Sequence, residues 1–396
     1  MASLHTLNRR SLLVAGCAVS LISVAPSARA ATQQSGGKKL IVVILRGAMD
    51  GMSLLPKVDD PDIQAHRASL VDPKAIPLSG GFALHSAMPN LAAMYQAKEA
   101  AFVPAIAGPY RERSHFEAQD LLECGGIRSV SADGWLNRAL QKAPAAYAAV
   151  SIGPSQPLIV RGAAKNITSW SPAVLPEASD DTLNRLMDLY DGDKVLKTSL
   201  TAAVGADMVA GEMKDGSSMA NMAGGGRGGP QQYVTQLQAA GKFLAQADGP
   251  EIAVVSLDGW DTHAAQNQSL QQRFTALDAG LKSLKDTMGE TWKKTALVAV
   301  SEFGRTARVN GAQGTDHGTG GTVILAGGGI KGGQVFGDWP GLKPAALFEN
   351  RDLMPTTDAR SVFKGLLRDQ LGWAANDLDG MVFPDSKTAR PETGLI

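Results

Sequence analysis

The chain has 396 residues, 44% of them hydrophobic and 19% charged, with 38 lysines and arginines against 38 acids. Setting residues 1–30 aside as a leader removes three arginines and no acid, which leaves 35 basic against 38 acidic side chains, a net charge of −3. That balance excludes a nucleic-acid binder, which needs a basic face, while the length suffices for a large buried core.

The leader reads as a secretory signal. Arg9 and Arg10 precede an uncharged, mostly apolar run from Ser11 to Ala25, and Ala28-Arg29-Ala30 supplies a small-x-small cleavage pattern. The run is too short to span a bilayer as a helix, which takes about 20 residues. Paired arginines before a weakly apolar core point to the twin-arginine route, which exports folded proteins. An ordinary Sec signal and a lipoprotein signal read from Val14-Ala15-Gly16-Cys17 are the alternatives. Cleavage after Ala30 leaves Cys124 as the one cysteine, so no internal disulfide forms. No later run is apolar enough to span a membrane, so no stable membrane anchor is expected.

Residues 39–45 form a β-branched apolar run, the pattern of a strand covered on both faces. Residues 91–99 read as a helix, 101–106 as a second strand, and 114–123 as a helix with Ser114 at its N-cap. Short apolar pieces follow at 147–152 and 158–160. Residues 252–257 and 296–300 are two more buried strands. Between them, Leu270, Phe274, Leu277, Leu281 and Leu284 line one face of a helix over 270–288. A strand over 322–325 and a helix over 361–371 close the series. The alternation predicts one α/β domain over 38–396 on a mostly parallel sheet. Residues 214–230, rich in glycine, read as a flexible insertion.

Ligands of open α/β sheets bind beyond the carboxyl ends of the strands. Asp50 follows the first strand; Arg113, Ser114 and His115 follow the second; Asp258, Asp261 and His263 follow 252–257; Glu302 and Arg305 follow 296–300. Asp316 and His317 sit just before 322–325. Carboxylates and imidazoles converging from separate strands suit a divalent cation, with zinc, calcium and manganese all open. Such an ion and an arginine together polarise a phosphate or sulfate ester. Ser114, at a helix start, is placed to act as a nucleophile, with Arg113 and His115 on either side as the other candidate catalytic residues. Plainer roles exist for each: Asp50 shapes a turn, Ser114 only caps a helix, Glu302 and Arg305 pair internally. Arg113 and Arg305 bind an anion or neutralise carboxylates, and His66 and His85 are surface or core residues.

These tails, in this order, resemble the exported bacterial family called domain of unknown function 1501. The resemblance rests on Leu45–Ser53, Arg113–Gln119, Ser301–Thr306, Gly314–Gly318, Lys331–Gly337 and Pro355–Asp358. That family looks like a branch of the alkaline phosphatase and sulfatase superfamily, through Met88–Phe102 and Met354–Arg360. The resemblance implies a three-layer sandwich with helices on both faces of the sheet. It makes Asp50 the first-strand metal carboxylate, Ser114 the nucleophile, Asp258 or Asp261 with His263 one metal cluster, Glu302 another, and His317 the last metal histidine. One departure is Glu302-Phe303, where the superfamily usually has Asp-His. Two functions follow as expectations. The first is an exported, periplasmic or secreted, metal-dependent hydrolase of anionic phosphate or sulfate esters, small or polymeric. The second is a non-catalytic binding or assembly protein with a degenerate site. The twin-arginine translocation machinery is the expected export partner.

Overall fold

The computed structural model describes residues 36–126, 132–143, 147–153, 155–171, 193 and 229–396. The leader, its cleavage site and residues 214–228 of the expected insertion lie outside the described residues. Gly229 and Pro230 lead directly into a helix.

Among the described residues, the main sheet has nine strands: β1 (Lys39–Leu45), β2 (Ala100–Ala107), β3 (Ala149–Ile152), β4 (Ile167–Trp170), β5 (Ile252–Leu257), β6 (Thr295–Val300), β7 (Gly321–Ala326), β8 (Gln334–Val335) and β9 (Thr357–Asp358). Their spatial order is β8-β2-β7-β6-β1-β5-β3-β4, with β9 on the end of β2. Only β7 runs against the rest, pairing antiparallel with β2 and β6. The short apolar run over 158–160 is a 3₁₀ turn.

Alternation along each central strand feeds two cores. In β1, Ile41, Val43 and Leu45 enter one, and Leu40, Val42 and Ile44 enter the other. The first core is covered by α3 (Pro89–Gln96), α6 (Gln231–Ala245) and α7 (Gln266–Met288). The second is covered by α5 (Trp135–Gln141) and α8 (Ala359–Leu371). Two-sided cover is why β1, β5 and β6 are apolar at successive positions. The result is a three-layer α/β sandwich. Three further helices, α1 (Gly51–Leu54), α2 (Pro61–Arg67) and α4 (His115–Cys124), lie in the tails of β1 and β2. Among the described residues, no helix is long and apolar enough to cross a membrane.

Candidate metal centre

Strand register delivers the tails to one edge. Leu45 of β1 pairs with Leu257 of β5 and Ile44 with Val300 of β6, so Arg46, Asp258 and Ser301 leave the sheet side by side. Because β7 is reversed, the segment before it, carrying Asp316 and His317, reaches that same edge. The tails pack closely. Gly47 has φ +113°, and a Cβ there would stand 2.5 Å from the backbone nitrogen of Asp261. Only glycine tolerates both conditions.

Three histidines and a carboxylate meet. His115 Nε2 lies 2.9 Å from His317 Nε2 and 3.5 Å from Asp261 Oδ2. His263 Nε2 lies 2.9 Å from His317 Nε2 and 2.9 Å from Asp261 Oδ1. His317 Nε2 is 3.3 Å from that oxygen. Donor atoms of His115, Asp261 and His317 all fall within 4.8 Å of one another. An imidazole nitrogen offers one N–H or one lone pair. His317 Nε2 therefore cannot satisfy His115 and His263 together through protons. Lone pairs aimed at a cation relieve the crowding: ligand atoms about 2.0–2.1 Å from a tetrahedral ion stand about 3.3–3.4 Å apart. Contacts of 2.9, 3.3 and 3.5 Å bracket that separation. The donor set fits a divalent metal.

Behind the cluster stands Glu302, whose side chain is wholly buried. Its Oε1 accepts from His115 Nδ1 at 2.7 Å, Gln119 Nε2 at 2.9 Å and Gly47 N at 2.9 Å; Ser301 Oγ donates to Oε2 at 2.9 Å. With Nδ1–H committed to Glu302, His115 presents the lone pair of Nε2 to the cluster. Burial pushes the Glu302 carboxyl up, but the bonds from His115, Gln119 and Ser301 outweigh it and hold the group below its ordinary value. The bond to Glu302 raises His115 above its ordinary value against burial, with help from the Glu302 and Asp261 charges. His317 moves down, through burial and the positive charges of His115 and Arg305.

Arg305, 1% exposed, ties the tails together. It donates to the carbonyls of Ala48 and Gly47 at 2.7 Å, to those of Trp260 and Thr315 at 3.1 Å, and to Asp261 Oδ1 at 2.7 Å. Burial pushes Asp261 up; the Arg305 bond and charge overcome it and keep the carboxyl below its ordinary value. Asp316 Oδ1 is 3.5 Å from His263 Nδ1 and accepts from Asn310 Nδ2 at 3.1 Å. Phe303, at the departure from the superfamily pattern, brings no nitrogen. It packs its ring 4.9 Å from that of His115 and 5.2 Å from that of His317.

The other residues singled out from the sequence make no hydrogen bond or ion pair to these four side chains. Asp50 is completely buried as the N-cap of α1. Its Oδ1 accepts from the backbones of Met52 and Ser53 at 3.1 and 3.2 Å. Its Oδ2 accepts from Ser53 Oγ at 2.9 Å and from the Arg67 and Gln266 side chains. No lone pair remains for an ion. Asp258 contributes its carbonyl, to the Tyr233 hydroxyl. Ser114 occupies the N-cap position of α4, but its hydroxyl makes no capping bond; its backbone N–H donates to Tyr110 Oη at 3.2 Å. Arg113, at φ +63°, a conformation that costs a non-glycine residue about 1–2 kcal/mol, points its guanidinium at Asp352 and Glu349. Sequence reasoning missed Gln119, Glu123 and Arg46. Arg46 donates to Gln119 Oε1 at 2.8 Å and Glu123 Oε1 at 2.6 Å. The signal was the i, i+4, i+8 spacing of His115, Gln119 and Glu123 on one face of α4.

A three-layer α/β sandwich with imidazoles and carboxylates converging beyond its strand ends defines a candidate metalloprotein. The chain belongs to the family described as protein of unknown function (DUF1501), whose model matches residues 108–382. No curated protein matches it. Among solved structures it is similar to a phosphonate monoester hydrolase of Agrobacterium radiobacter, at 12% identity, covering 85% of this chain and 74% of that one, with a TM-score of 0.41. It is also similar to the PsFucS1 sulfatase from Pseudoalteromonas sp., at 14% identity, 92% and 75% coverage and a TM-score of 0.41. A third is the alkaline phosphatase from the Antarctic bacterium TAB5, at 10% identity, 75% and 93% coverage and a TM-score of 0.36.

Proposed function

We propose that the chain is an exported, metal-dependent hydrolase of phosphate or sulfate esters. The observation that carries this reading is the meeting of His115, His263, His317 and Asp261 at the carboxyl edge of the sheet. His115, Asp261 and His317 would hold the ion, with His263 beside them to complete the set. An imidazole-rich set suits zinc better than manganese or calcium, which favour oxygen ligands. When bound, the ion supplies Lewis-acid polarisation of an ester oxygen. Glu302 keeps His115 in the tautomer that faces the cluster, and Arg305 keeps Asp261 ionised. Ser114, directly before His115 at the start of α4, is the nucleophile in this reading. The helix N-terminus favours negative charge developing on its oxygen. Export follows the Arg9-Arg10 leader to the periplasm or beyond, through the twin-arginine machinery.

A second reading, a metal-holding binding or assembly protein, is favoured by one observation. The tail arginines Arg46, Arg113 and Arg305 are committed within the protein, Arg46 to Gln119 and Glu123, Arg113 to Asp352 and Glu349, and Arg305 to Asp261 and four carbonyls. Metal analysis of the exported protein, paired with hydrolysis of p-nitrophenyl phosphate and p-nitrophenyl sulfate, separates the two. The hydrolase reading expects a stoichiometric divalent metal that His317→Ala loses, and turnover that Ser114→Ala loses while keeping the metal. Metal without turnover of either ester selects the binding protein. Absence of metal sinks both.

A further inference from the structure

We infer that Asp352 is a positioning residue that sets the contact between His115 and His317. The inference rests on the metal reading above for its meaning, but on separate geometry for its content. His115 and His317 come from α4 and from the segment before β7, far apart in sequence, and their Nε2 atoms stand 2.9 Å apart. Backbone pairing bridges the His317 segment to Arg305, while His115 opens α4 from the other side, so neither element alone fixes the distance between them.

One oxygen closes the gap. Asp352 Oδ2 accepts from Arg113 Nε at 2.8 Å and from Thr319 Oγ1 at 2.7 Å. Arg113 lies two residues before His115, and Thr319 two residues after His317. The carboxylate side chain is wholly buried, and its other oxygen accepts from Arg351 Nη1 at 3.0 Å. Its backbone is held as well. Asp352 exchanges hydrogen bonds with Phe348, Ala307 N donates to Arg351 O at 3.0 Å, and Gly320 N donates to Leu353 O at 3.1 Å. Asp352 is thus a fixed post to which both histidine-bearing segments are tied by short charge-assisted bonds. Arg113 also sits in a left-handed conformation. Release of its guanidinium frees that residue to relax, and the first turn of α4, with His115, turns with it.

The test is a cobalt(II) titration of the full protein, read by the visible absorption of the bound ion, together with long-range 1H–15N imidazole spectra of the metal-free protein. Asp352→Asn keeps the size of the side chain and removes its charge. It is expected to weaken cobalt binding by about 10-fold or more, the scale of lost outer-sphere support, and to change the cobalt spectrum. The imidazole signals of His115 and His317 shift, and that of the interior His85 does not. Thr319→Val, which breaks the other tie, moves the same two histidines. Glu349→Gln, which removes the exposed partner of Arg113, leaves affinity within about two-fold. Unchanged affinity and unchanged imidazole signals in Asp352→Asn overturn the inference. If the wild-type protein takes up no cobalt, the metal reading fails, and the imidazole spectra alone decide the role of Asp352.

Discussion

Asp50 and Asp261 leave neighbouring parallel strands, β1 and β5, within a few residues of their ends. Asp50 is sealed, and every lone pair faces a donor from its own chain. Asp261 keeps 43% of its side chain exposed and turns its oxygens to three histidines and one arginine. Position beyond a strand end therefore does not make a carboxylate a ligand. What matters is whether local backbone N–H groups have already claimed it. In the β1 tail, α1 starts at once and Asp50 caps it. In the β5 tail, α7 starts only at Gln266, and Asp261 is left open.

The largest expected effect breaks this comparison at its buried side. Asp50→Ala leaves the Arg67 guanidinium, 1% exposed, without its counter-charge. Removing one partner of a buried pair costs about 3–5 kcal/mol, read as a lower denaturant midpoint at unchanged slope. The folded fraction is expected to keep wild-type cobalt affinity. Lost metal with unchanged stability would mean that the two carboxylates have exchanged roles.

This contrast also marks what was legible in the sequence. β-branched runs announced β1, β5 and β6, because two-sided burial leaves little room for polar side chains, and reading just past them reached Asp261, His263 and Glu302. The Asp-Gly of residues 50–51 suits a turn or a ligand equally well, and a four-residue helix has no periodicity to announce it. Asp316 and His317 precede their strand, a position explained only by the reversed direction of β7. α6 buries Tyr233, Leu237, Ala240 and Leu244, but it follows directly on a glycine-rich segment whose composition masks its start. α3 starts at Pro89, a favoured first helical position, two residues ahead of the predicted start. Asp352 was invisible, since its work depends on contacts more than 30 residues away in the chain.

A smaller effect sharpens the open side. Glu302 differs from both aspartates: it is buried like Asp50, yet it serves the cluster through His115 Nδ1. Glu302→Gln keeps one acceptor oxygen but loses the charge that makes His115 a strong donor. Cobalt affinity is expected to fall about 10- to 100-fold, or about 1.4–2.7 kcal/mol, with metal-free stability changing much less than in Asp50→Ala. An unchanged affinity would remove Glu302 from the site and leave it on the packing side with Asp50.

The smallest effect concerns a histidine that belongs with Asp50 rather than with the cluster. His85 is 6% exposed, tilts against Phe274 at 5.0 Å between ring centroids, and accepts the Ala87 N–H on Nδ1 at 3.2 Å. Burial lowers its pKa below 6.5, partly offset by the Asp72 charge 3.7 Å away. The sign follows from proton counting. Above pH 6.5 the ring is neutral folded or unfolded, and stability is complete. As pH falls below 6.5, the unfolded chain takes up a proton that the folded chain refuses, so stability drops by at most about 1.4 kcal/mol per pH unit. The drop ends once the folded ring titrates too. Asp72, whose carboxyl is held below 3.8 by bonds from Ser86 and Lys74 that outweigh burial, contributes only at lower pH. Denaturant unfolding of wild type and His85→Gln between pH 7 and 5 should therefore diverge, with wild type losing more. Cobalt should leave that difference intact, because His85 lies outside the cluster. Parallel curves would show that His85 is not held neutral by the fold, and cobalt dependence would join it to the metal side of the comparison.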